Sequence, residues 1–84
     1  MTYTLAQLPS GESGRVAALD FPPRKARRME DLGFLPGQRV TALYTPPFGG
    51  ITAYQVLDTV IALRDTDARR ITLYTLQDEK DDVL

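Results

Sequence analysis

Asp65 and Asp67 stand two positions apart behind the apolar run Val60–Leu63, and a close carboxylate pair is the first requirement of an oxygen-liganded cation. A simpler role fits the same spacing. Asp65 can accept from the backbone N–H groups ahead of it and cap a single helical turn running to Arg69, with Asp67 a surface charge. We read a cap and a surface charge there and assign no metal site. The chain has no histidine and no cysteine, which removes imidazole acid–base chemistry, thiolate and imidazole metal ligands, and disulfides together. Ser10 and Ser13 belong to the turn cluster Ser10-Gly11-Glu12-Ser13-Gly14 and have no imidazole to activate them. No G-x-x-x-x-G-K run is present to cradle phosphates. With neither a nucleophile and its base nor a cofactor cradle, the sequence reads as a non-enzymatic binding module that needs no cofactor.

The remaining candidates are cations. Arg24, Lys25, Arg27 and Arg28 cluster on a predicted helix in which Ala26, Met29 and Leu32 recur on one face. Pro22 and Pro23 suit its first turn, where a missing N–H costs nothing, and Gly33 suits a left-handed stop. The cations gather toward the N-terminus and Glu30 with Asp31 toward the C-terminus, against the helix dipole, at roughly 0.3–1 kcal/mol each when exposed. Such a pattern fits a solvated charged face and also a basic docking patch. Phe48, in the turn-forming run Pro46-Pro47-Phe48-Gly49-Gly50, is the second candidate anchor, an aromatic beside prolines that either projects or folds back.

These residues need a small scaffold. The 84 residues make one domain, and 43% hydrophobic against 25% charged residues is ordinary for a folded soluble chain. Ten basic and eleven acidic residues leave a net charge of −1, which excludes the broad positive field of a nucleic-acid binder, so no nucleic-acid partner is expected. No stretch approaches the roughly 20 apolar residues of a membrane span. The start M-T-Y-T-L-A lacks the basic and apolar regions of a signal peptide, and a cytoplasmic location is expected.

In chain order, Leu5 and Leu8 suit a short segment tucked under a sheet, and Arg15–Asp20 reads as the first strand, with Val16, Ala18 and Leu19. After the helix, Phe34 and Leu35 cannot sensibly both be solvated, and Pro36-Gly37 is a turn. Gln38–Thr45 alternates Val40, Ala42 and Tyr44 against polar or outward positions, and Ile51–Leu57, Val60–Arg64 and Arg70–Leu76 complete the strands. The expected fold is mainly β: a small barrel of about five strands with one short α-helix inserted after the first. Its expected core is Val16, Met29, Leu32, Val40, Ile61, Leu63, Ile71 and Leu73. Residues 1–77 form the domain, and 78–84, carrying Asp78, Glu79, Asp81 and Asp82, an acidic C-terminal tail that should fray.

The ordered set G-R-V at Gly14–Val16, R-R-M-E-D-L-G-F-L-P-G at Arg27–Gly37, and V-I-A-L-R with A-R-R-I-T-L between Val60 and Leu73 resembles the FeoA family of ferrous-iron transport accessory proteins. The family's L-G-x-x-P-G core corresponds to Leu32, Gly33, Pro36 and Gly37, while the tip Pro46–Gly50 departs from its glycine–acidic–proline pattern. The resemblance implies an SH3-like barrel, shared with the C-terminal domains of some iron-dependent repressors. It also implies a cytoplasmic accessory module that docks on and modulates a FeoB-like membrane GTPase. On that reading Arg24, Arg27, Arg28 and Phe48 are the candidate partner contacts. The alternatives are a regulatory SH3-like domain related to the repressors and a homo-oligomeric module, the latter because Leu43, Tyr54, Tyr74 and Leu76 would leave apolar area on a barrel with an open edge.

Overall fold

β-Branched and aromatic runs separated by glycine- and proline-rich turns pair here into one antiparallel sheet. The computed structural model describes residues 3–74. The strands are β1 (Tyr3–Thr4), β2 (Ser13–Leu19), β3 (Arg39–Tyr44), β4 (Ile51–Val56), β5 (Thr59–Arg64) and β6 (Ile71–Leu73). A 3-10 turn, Leu5–Gln7, follows β1; helix α1 (Pro23–Asp31) follows β2; a single helical turn, α2 (Asp65–Ala68), joins β5 to β6. The strand order is β1-β6-β2-β3-β4-β5, leaving β1 and β5 as edges. Tyr54 on β4, the strand next to the β5 edge, donates its hydroxyl at 3.4 Å to the carbonyl of Leu5, just after the opposite edge strand β1, a side-chain link across the fold rather than a ladder. The mainly β expectation holds with one strand added: β1 is only two residues long, too short for a periodicity, and α1 therefore follows the second strand. The acidic segment 78–84, the boundary at 77 and Leu76 lie outside the described residues.

Two bulges decide which side chains face inward. Between β2 and β6 the register shifts between Val16 and Ala18, so Ala18 turns outward and Leu19 packs against the core. Between β3 and β4 it shifts between Ala42 and Tyr44, which sends Tyr44 to solvent at the position where simple alternation predicts an inward side chain. The buried core comprises Leu5, Leu8, Val16, Met29, Phe34, Val40, Ala42, Tyr54, Val56, Leu63, Ala68, Ile71 and Leu73. Ile61 is only partly buried against it, and Leu32 lies outside it at 40% exposure.

Leu32 misses the core because the helix ends one residue before it. Leu32 is the C-cap, Gly33 turns left-handed at φ +115°, and the chain then drops Phe34 inward. The Gly33 N–H donates to the Glu30 carbonyl at 2.9 Å and the Phe34 N–H to the Met29 carbonyl at 3.1 Å, the paired bonds of a Schellman stop, and Met29 with Phe34 supplies its apolar contact. Phe34 thus occupies the place that helical spacing assigned to Leu32. Pro36-Gly37 then reverses the chain, with the Gln38 N–H donating to the Leu35 carbonyl at 2.9 Å and Gly37 at φ +89°. The turn is pinned to β2 by Gly37 N–H to the Val16 carbonyl, 2.6 Å, and Val16 N–H to the Gln38 carbonyl, 2.9 Å. α1 is therefore held firmly at its C-terminal end, while along its length Met29 is the one buried residue.

Candidate functional site

α1 presents its cations outward. Arg24, Lys25, Arg27 and Arg28 are all exposed. Lys25 is committed within the fold: its Nζ lies 2.9 Å from Asp67 Oδ1 on α2 and 5.6 Å from the centre of the Phe21 ring. Asp67 is thus an ion-pair partner rather than an idle surface charge. Among the described residues Arg24, Arg27 and Arg28 have no ion pair or side-chain hydrogen bond, so each keeps its donors for solvent or a partner. The helix is nine residues long, which places Arg28 in its last turn, where a cation suits the dipole, and leaves only Arg24 and Lys25 in the unfavourable first turn. The sequence reading, which counted Arg28 among the misplaced charges, is corrected on this point.

Beside these cations runs an open groove of about 490 Å³ lined by Pro22, Arg24, Lys25, Arg28, Met29 and Leu32. Its floor is apolar and its rim basic. Gly33, next to Leu32, has no side chain of its own, and Leu57 fills the space: its Cδ1 lies 3.0 Å from where a Gly33 Cβ would stand. Leu57 is the first residue of the two-residue loop between β4 and β5, with φ +55° and 57% exposure. Leu57 packs beside Gly33, the residue that follows the groove-lining Leu32, and Leu32, Leu35 and Leu57 are each about half exposed. Sequence reasoning missed this feature by assigning Leu32 to the core and Leu57 to a strand; a leucine beside Asp58 in a tight hairpin was the available signal.

The other candidates fall elsewhere. Phe48 projects from the β3–β4 hairpin at 80% exposure, in a turn closed by Gly49 N–H to the Pro46 carbonyl at 2.9 Å, and it takes no part in lining the groove. Asp65 does not cap α2: Arg64 is the N-cap residue, no side chain caps it, and Asp65 occupies the first helical position, where its charge suits the dipole. Among the described residues no three histidine, cysteine, aspartate or glutamate side chains converge on one point. Of the residues expected to leave apolar area on the strands, Tyr54 is instead buried, where desolvation pushes its hydroxyl pKa up, an adjacent Asp65 carboxylate adds to this and Thr52 partly offsets it. Tyr74 is 40% exposed and Leu43 is half-buried at the β3 bulge.

No curated protein sequence matches the chain. Solved structures do. FeoA of Stenotrophomonas maltophilia, determined with zinc and described as an SH3-domain protein, is 33% identical over 84% of this chain and 88% of its own, with a TM-score of 0.73. FeoA of Chlorobium tepidum is 26% identical over 87% of this chain and 70% of its own, with a TM-score of 0.80. A manganese-dependent transcriptional repressor shares the fold alone, at 21% identity, 42% coverage of its length and a TM-score of 0.76. The FeoA domain profile matches residues 3–74, every residue whose structure is described above, and the SH3-like chain belongs to the FeoA family.

Proposed function

We propose that the chain is a cytoplasmic, non-enzymatic accessory of ferrous iron uptake that docks on the cytoplasmic domain of a FeoB-like membrane GTPase and modulates it. The observation that carries the reading is the combination on α1 of three arginines without an ion pair among the described residues, Arg24, Arg27 and Arg28, with an apolar groove that Arg24 and Arg28 line. A surface that is charged at its rim and apolar at its floor is the anatomy of a protein–protein contact. Family membership supplies the context, since the Stenotrophomonas relative is described as possibly acting as a ferrous iron transport activating factor. Among the described residues no helix is long and apolar enough to cross a membrane.

The test is calorimetric titration of the GTPase cytoplasmic domain with the parent chain and with a triple variant, Arg24→Glu, Arg27→Glu and Arg28→Glu. Loss of binding in a folded variant, and weakening of the parent's binding with salt, support docking through α1, because exposed charge pairs are screened within about 8–10 Å at ordinary ionic strength. Undiminished binding at low salt moves the contact to Phe48, and the variant Phe48→Ala then decides. A second reading, association of the chain with itself, is favoured by the edge strand β5, whose Val60 is 61% exposed. Light scattering on the eluting chain measures it.

A further inference from the structure

The groove along α1 has a floor formed by Pro22, Met29 and Leu32 and a rim carrying Arg24 and Arg28, one helical turn apart. Two properties narrow what fits it. The wall along its length is an α-helix whose interior backbone groups are already bonded to one another, so an extended strand laid there would find no main-chain partners and would bury its own N–H and C=O groups unpaired. A helix satisfies its backbone internally and brings only side chains. The rim is cationic, and among the described residues Arg24 and Arg28 have no ion pair, so the complement is acidic.

Leu57 adds an independent observation. Leucine disfavours positive φ, a two-residue hairpin loop is readily served by glycine, asparagine or aspartate, and yet this side chain is held at φ +55° with more than half its surface in water beside Gly33, one residue past the groove-lining Leu32. A strained residue that presents an exposed apolar side chain is a candidate for such a contact. We propose that the groove receives an acidic amphipathic helix, its apolar stripe seated on Met29, Leu32 and Leu57 and its carboxylates on Arg24 and Arg28. This rests on the reading of α1 as the docking face and specifies the segment of the partner that docks there.

The probe is an end-blocked synthetic peptide of about six helical turns, long enough to become helical on the groove, with leucine at every third and fourth position and glutamate between. It is titrated into the full chain by calorimetry. Saturable binding is expected, weakened about tenfold or more by Leu57→Asn and by Arg24→Glu with Arg28→Glu, and absent for the same peptide with lysine in place of glutamate. Because asparagine accepts positive φ, which offsets the packing lost beside Gly33, Leu57→Asn should leave the melting temperature nearly unchanged while it weakens binding, which separates contact from folding. Equal binding of the glutamate and lysine peptides, or unchanged affinity in Leu57→Asn, overturns the proposal. So does binding seen only after residues 78–84 are removed, because the chain's own acidic segment is then the occupant. If the triple arginine variant loses the GTPase domain while the peptide never binds, α1 remains the docking face and the acidic helix is rejected.

Discussion

Leu57 Cδ1 lies 3.0 Å from the point where a Cβ on Gly33 would stand, so the β4–β5 hairpin packs directly onto the turn that ends α1. Val56 Cγ2 approaches the same point at 3.1 Å. Gly33 is therefore constrained twice, by its φ of +115° and by the space around it.

Gly33→Ala should cost about 1–3 kcal/mol by urea denaturation, most of it from backbone strain. The Leu57 methyl ends a flexible side chain and can withdraw, whereas the β-branched Val56 is stiffer. Adding Leu57→Ala should consequently recover little. Full recovery in the double variant would assign the cost to crowding and remove the backbone argument.

Phe34 and Leu32 should exchange the roles that helical spacing gives them. Phe34 is fully buried, and Phe34→Ala should lose about 3–5 kcal/mol. Leu32 is 40% exposed, and Leu32→Ala should lose less than about 1 kcal/mol, while it weakens docking at the groove. Denaturation midpoints of the two variants check the order directly. A larger loss at Leu32 would return it to the core.

What the sequence made legible follows from how local each signal is. Pro22-Pro23, Gly33 and Pro36-Gly37 act through their own backbone, and the helix start, its stop and the turn all lie where these residues placed them. The inward residues Val16, Val40, Leu63, Ile71 and Leu73 were readable because each sits on a strand with a regular stretch of alternation. Leu32, Tyr44, Ala18 and Leu57 were not. A bulge changes the face of every residue beyond it, and whether a chain bulges is decided by the partner strand, which has no local mark. Asp65 had the right type for a cap at the wrong position by one residue, a difference set by where the β5 ladder ends. The cations of α1 were visible as a cluster, but only the position of α2 shows that Lys25 is engaged with Asp67, while Arg24, Arg27 and Arg28 have no ion pair among the described residues.

Tyr54 gives the fold a pH dependence at the alkaline end. Burial raises its pKa above the ordinary value of 10.0, so the folded chain holds the proton more tightly than the unfolded chain does. Below that value both states are protonated and the contribution is fully present. As pH rises past it the unfolded state ionises first, binds fewer protons than the folded state, and stability falls. Urea midpoints measured between about pH 9 and 11 should drop more steeply for the parent than for Tyr54→Phe. At neutral pH the variant should lose about 0.5–1.5 kcal/mol with its hydroxyl bond to the Leu5 carbonyl. Parallel alkaline slopes in the two proteins would remove Tyr54 as the cause.

Arg24 and Arg28 face the same groove from opposite ends of one helical turn, and the dipole gives their charge reversals opposite signs. Arg24 lies in the first turn of α1, which has no acidic residue, so Arg24→Glu should stabilise by about 0.3–1 kcal/mol. Arg28 is the cation of the last turn, where Glu30 and Asp31 already stand, and Arg28→Glu should destabilise by a similar amount, about 0.3–1 kcal/mol. The two together should nearly cancel. Thermal unfolding at low salt, where exposed charges act most strongly, measures the pair, and the difference should shrink as salt is added. Cancellation in stability is what makes the double variant informative for binding, since both changes replace a rim cation with an anion and their effects on an acidic partner add. A double variant that is markedly destabilised would show that an arginine on α1 supports the fold, and a loss of docking in it could then no longer be assigned to the groove alone.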